Sequence, residues 1–124
     1  MKKEEYYKMF NFEDSHFWFL GKRFFIRTIL DKYIPKKKLL ILDLGCGTGG
    51  ISVFLKKYGR VIGLEKNKIA IHLAKKRNLK IIQQDIQKPL PFSNNSFDLI
   101  TILDVLYHKN IKNIDLIILI IKLF

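Results

Sequence analysis

The run "LLILDLGCGTGG", residues 39–50, limits the architecture more than any other stretch of the chain. Its first six residues are apolar except for Asp43, as expected of a short parallel strand covered on both faces. Gly45, Gly47, Gly49 and Gly50 then permit a tight turn. The segment "TGGISVFLKK", residues 48–57, follows as a helix that the Thr48 side chain can cap.

The remaining sequence repeats that alternation. "RVIGLE" is a second buried strand, "KIAIHLAKKRN" a second helix, "KIIQQD" a third strand and "SFDLITILD" a fourth. The third and fourth strands are joined by "IQKPLPFSNNS", whose two prolines and Ser-Asn-Asn-Ser run defeat a regular helix. Strands alternating with helices imply an α/β fold, a parallel sheet with right-handed crossovers, doubly wound. Upstream, residues 12–33 carry a helical apolar pattern after Asp14 or Ser15, with Phe17, Phe24, Ile26 and Leu30 as candidates for burial. Pro35 ends it.

A chain of 124 residues allows one domain of ordinary size. Its 23 Lys and Arg against 11 Asp and Glu leave a phosphate-rich partner or an anionic membrane open. However, the basic residues are scattered, with small clusters at 36–38, 56–57 and 75–77, and two of those clusters suit helix C-termini in solvent. The single cysteine, Cys46, cannot form an intrachain disulfide, and no paired Cys/His spacing implies a metal. The charged N-terminus "MKKEEYYKMF" argues against a signal peptide, so a cytoplasmic location is expected. The apolar C-terminal "IDLIILIIKLF" is too short for a transmembrane segment, which needs ~20 residues.

In a doubly wound sheet the ligand binds at the first strand-to-helix turn, here "DLGCGTGG". Gly45, Gly47 and Gly50 satisfy the dinucleotide pattern G-x-G-x-x-G, whereas Asp43, Gly45, Gly47 and Gly49 form D-x-G-x-G-x-G. Asp43 favours the second, because a carboxylate there repels a pyrophosphate and attracts the ammonium and sulfonium of S-adenosylmethionine. A strand-end carboxylate bonded to nearby amides is compatible with either. Glu65, 22 residues after Asp43 at the end of the second strand, can accept both hydroxyls of a ribose. Asp85 and Ile86, after the third strand, can take an adenine amine and wall its ring.

Taken together, "ILDLGCGTGG", "VIGLE" and "QQDIQKPLPFSNNSFDLITILDVLYH" resemble the successive motifs of the class I S-adenosylmethionine-dependent methyltransferases, over residues 38–110. The segment "EDSHFWFLGKRFFI" is similar to an N-terminal segment that packs over the cofactor in some of them. The resemblance implies a Rossmann-like sheet of strand order 3-2-1-4, with residues 1–37 as a helical lid and 38–124 as a partial cofactor-binding domain. It implies that Asp43, Gly45, Cys46 and Gly47 line the methionine end of the cofactor, Glu65 the ribose, and Asp85 and Ile86 the adenine. Leu103 and Asp104 would close the pocket. His108 is the candidate general base, since a neutral imidazole accepts a proton near pH 7; a histidine that only packs or caps is the competing reading.

The family's sheet continues past its fourth strand, whereas this sequence ends at Phe124, so a C-terminally truncated member is expected. Its fourth strand would be an open edge beside the apolar tail, suited to self-association or a partner chain. The expected function is methyl transfer from S-adenosylmethionine to a small-molecule, lipid or glycan-precursor acceptor, without a metal. The alternative from another class is a noncatalytic cofactor-binding or interaction fragment that needs a partner. A nicotinamide oxidoreductase ranks third. Nucleic acid as a partner rests on charge alone, because no base-stacking motif accompanies it.

Overall fold

A computed structural model describes residues 2–34, 38–93 and 96–103. Two helices, α1 (Lys3–Phe12) and α2 (Phe17–Tyr33), lead into β1 (Leu39–Leu44). There follow α3 (Gly50–Leu55), β2 (Gly59–Glu65), α4 (Lys68–Lys75), β3 (Lys80–Gln83) and β4 (Leu99–Ile102). The four strands form one sheet in the order β3-β2-β1-β4, with every neighbouring pair parallel. This is the Rossmann-like order that the motifs imply. Leu44 lies opposite both Leu64 and Ile102, so the carboxyl ends of β1, β2 and β4 finish level. The turn after β1 and Glu65 at the end of β2 therefore share one edge of the sheet.

Each face of the sheet has its own apolar cluster. On one face, Ile26, Leu30 and Ile34 meet Phe54 and Leu55 of α3 over Leu39, Ile41, Val61 and Leu99. Ile26 and Leu30 are fully buried, and each such side chain is worth about 1.5–3 kcal/mol of burial. On the other face, Leu42, Leu44 and Leu64 are covered by the loop between β3 and β4, through Ile86, Leu90, Phe92 and Phe97. The rings of Phe92 and Phe97 pack edge to face, 4.9 Å apart. The loop thus takes the place a crossover helix would fill.

The helix expected after Asp14 or Ser15 is α2, but a second helix, α1, precedes it. The chain breaks after Phe12, and α2 begins afresh with His16 as its N-cap, Nδ1 accepting from the Trp18 amide at 3.3 Å. Asp14 and Ser15 are not caps. The buried stripe of α2 runs Lys22, Ile26, Leu30 and, just beyond the helix, Ile34, four residues apart. Phe17 and Phe24, expected in the core, lie on the opposite side and are 78% and 64% exposed. Aromatic content marked them, but the spacing of four placed the core elsewhere.

The helix after β1 also starts later than the sequence suggests. Its N-cap is Gly49 at φ +89°, a conformation that disfavours any side chain, and Thr48 does not cap it. By contrast α4 has a side-chain cap, Asn67 Oδ1 accepting from the amides of Ile69 and Ala70 at 2.9 and 3.0 Å. Among the described residues no helix is long and apolar enough to cross a membrane.

Candidate functional site

The turn begins by anchoring to the neighbouring strand. The amides of Gly45 and Cys46 both donate to the Leu64 carbonyl, at 2.7 and 3.0 Å, and the chain then swings away with Gly45 at φ +68° and Gly47 at φ +58°. Gly45, Cys46 and Gly47 are half-buried, whereas Thr48, Gly49 and Gly50 are buried. The exposed rim of the turn is therefore its first three residues.

Asp43 lies beneath that rim and is 2% exposed. One carboxylate oxygen accepts from Ser52 Oγ of α3 at 2.5 Å, the other from Thr101 Oγ1 of β4 at 2.7 Å. These partners are hydroxyls from two other elements rather than nearby amides, so Asp43 ties α3 and β4 to the end of β1. Burial pushes its carboxyl up to about 6, against the two hydroxyl hydrogen bonds and with help from the charges of Glu13 and Glu65.

Glu65 reaches the turn from β2. Its Oε1 accepts from the Gly47 amide at 3.0 Å, and its Oε2 from the amides of Lys66 and Asn67 at 2.9 and 2.8 Å. The same carboxylate so joins the glycine turn to the turn before α4. The Cys46 side chain points back at the sheet: its Sγ lies 2.7 Å from where a Cβ on Gly63 would stand. Burial, then the charges of Asp43 and Glu65, push this thiol well above the usual cysteine range.

Asp85 and Ile86 are half-buried beyond β3. Asp85 Oδ1 accepts from the Gln87 amide at 2.9 Å, and Ile86 packs on the apolar cluster of that face. Leu103 is buried in the other cluster, with Ile26, Leu30 and Ile34. Asp104 and His108 lie outside the described residues, as does the apolar tail.

Glu13 was not among the residues singled out from the sequence. It ends α1, is 5% exposed, and its carboxylate accepts from the Gly50 amide at 2.7 Å and from Thr48 Oγ1. The one local signal for it is Gly50 itself, a fourth glycine that the turn pattern leaves unexplained. Arg77, assigned to a solvated cluster with Lys75 and Lys76, is also part of the site; the two lysines are exposed, but its guanidinium lies 3.7 Å from Glu13 Oε1 and donates to the Thr48 carbonyl at 3.1 Å.

Helix α1 lies over the same turn. The Met9 methyl is 3.6 Å from where a Cβ on Gly47 would stand. Burial first, then the charges of Glu65 and Glu5, raise the Tyr6 phenol above its ordinary range. Three carboxylates, those of Glu13, Asp43 and Glu65, thus surround residues 43–50, and two of them already take amides of the turn.

A parallel sheet of order 3-2-1-4, with a glycine turn at its carboxyl edge, is the Rossmann-like arrangement in which a nucleotide-containing cofactor sits against that turn. Residues 35–123 match the family model described as a methyltransferase domain, and the chain belongs to that family. It is 37% identical over 87 residues to an uncharacterized protein of Methanocaldococcus jannaschii, covering 68% of this chain and 36% of that one. A crystal structure of a Pyrococcus horikoshii protein superposes with a TM-score of 0.70 at 29% identity, over 85% of this chain and 53% of the other. That of an S-adenosylmethionine-dependent methyltransferase from Mesorhizobium loti does so with a TM-score of 0.54 at 26% identity, over 67% and 42%. The chain spans about a third of the length of the curated relative and about half of the first of these structures.

Proposed function

We propose that this chain is the cofactor-holding part of an enzyme that transfers a methyl group from S-adenosylmethionine to a small-molecule acceptor, a lipid or glycan precursor included. The observation that carries the reading is the charge around the turn. A pyrophosphate on this turn needs free amides and a positive field. Here the Gly47 and Gly50 amides are taken by Glu65 and by Glu13, the latter offset by Arg77, and Asp43 adds a carboxylate from below, so Glu65 and Asp43 set the field. That field suits an ammonium and a sulfonium, and it disfavours a dinucleotide.

On this reading the half-buried rim, Gly45 to Gly47, receives the methionine end, with Asp43 acting through its field from beneath. Glu65 turns its carboxylate from the Gly47 amide to the ribose hydroxyls. Asp85 and Ile86 take the adenine, and α1 with the start of α2 forms the lid, Met9 and Tyr6 facing the turn. The donor, when bound, supplies an electrophilic methyl on a positively charged sulfur. The residues of the rim would hold that methyl in line with the acceptor, and His108 is the candidate base that would take the acceptor's proton.

Calorimetric titration with S-adenosylhomocysteine, with NADH as the control, tests the reading. Saturable binding of the first and none of the second is expected. NADH binding alone would reverse the assignment, and a folded chain that binds neither would remove it.

A further inference from the structure

The densest set of polar contacts among the described residues joins the α1–α2 connector to the glycine turn. Burying a carboxylate costs several kcal/mol unless hydrogen bonds and an opposite charge offset it. Glu13 has both, through Gly50, Thr48 and Arg77. The room for it exists because residue 50 has no side chain: a Cβ there would overlap the carboxylate.

Arg77 holds the other end of the connection. Its Nη1 donates to Asp14 at 2.9 Å, its Nη2 to the Phe10 carbonyl at 2.8 Å, and its guanidinium stacks 4.3 Å from the Phe10 ring centre. Arg23 of α2 donates to the second oxygen of Asp14 at 2.8 Å and reaches the Gly50 carbonyl at 3.4 Å. Residues 10–14, residues 48–50 and the end of α4 are therefore held by one network, and Met9 carries α1 onto Gly47.

From this geometry, and resting on the cofactor reading of the turn, we infer that Glu13 is a positioning residue: it makes docking of the N-terminal helices and ordering of the glycine turn a single event. Removing its two hydrogen bonds frees the Gly50 amide and Thr48 and lets the connector lift. A ligand that needs the turn ordered then has to restore both, and its affinity falls by that cost. Binding, conversely, holds the N-terminal helices down.

The test uses the full chain and the variants Glu13→Ala and Glu13→Gln. Glutamine can still accept from Gly50 and can donate to the Thr48 hydroxyl, so it retains the connection without the charge. In the free protein, Glu13→Ala is expected to lose amide-exchange protection over residues 3–16 and 45–50 by similar factors, with β1 and β2 unchanged. Its affinity for S-adenosylhomocysteine is expected to fall at least tenfold, and Glu13→Gln to recover it to within about threefold. Exchange that rises over residues 3–16 alone, or equal affinity in wild type and Glu13→Ala, overturns the inference. Should the wild type bind no S-adenosylhomocysteine, the cofactor reading fails, and the exchange pattern alone still decides the coupling. If Glu13→Ala does not fold, Thr48→Val, which removes one donor and keeps the shape, is read by the same two measurements.

Discussion

The Glu13 carboxylate accepts the Gly50 amide at 2.7 Å, across 37 residues of sequence. Gly50 is therefore required for the space it leaves rather than for its backbone angles. Gly50→Ala is expected to cost about 1–3 kcal/mol, because the carboxylate must leave its donors or the turn must shift. Gly21 is the matching control. A Cβ there meets nothing within 4 Å, and in mid-helix Gly21→Ala should stabilise by about 0.5–1 kcal/mol. Urea denaturation of the two variants checks both signs.

Asp43 predicts a pH dependence of stability. Its folded carboxyl sits near 6, above its ordinary 3.8, so between those values the folded chain holds more proton than the unfolded one. The stability this group contributes is complete below about 4 and lost as pH rises through 6. Glu13, also raised by burial, adds a slope of the same sign. Asp43→Asn should remove most of the decline, on the order of 2–3 kcal/mol at most between pH 4 and 7. Denaturation midpoints across that range measure it, and parallel curves for variant and wild type would refute the assignment.

Glu65 has two tasks on the proposed reading, holding the Gly47 amide in the free protein and the ribose in the complex. Glu65→Ala should weaken S-adenosylhomocysteine binding roughly ten- to hundredfold, the loss expected for charge-assisted hydrogen bonds. Unchanged affinity by calorimetry would place the ligand elsewhere.

The Cys46 thiol should react slowly. Its sulfur faces the sheet at Gly63, and burial with the nearby carboxylates disfavours the thiolate. At pH 8, iodoacetamide should modify the folded chain far more slowly than the urea-unfolded chain, as followed by mass spectrometry. Equal rates would mean that the side chain points outward into the cofactor site.

The order of strands and helices and the place of the glycine turn were legible in the sequence because both are local properties. Five apolar residues flanking Asp43 read as a covered strand whatever lies beside them, and Gly45 and Gly47 at positive φ mark a turn through backbone sterics alone. Helix ends were less legible: Thr48 looked like a cap until Glu13 took its hydroxyl. What only the tertiary structure decided is which charge meets which group. Asp43 bonds to Thr101 across 58 residues, Arg77 to Phe10 across 67, and Glu13 to Gly50 across 37. No spacing rule foretells such pairs. The chain brings them together only when the sheet aligns its carboxyl edge and α1 folds back over it, and burial then makes each unpaired alternative costly.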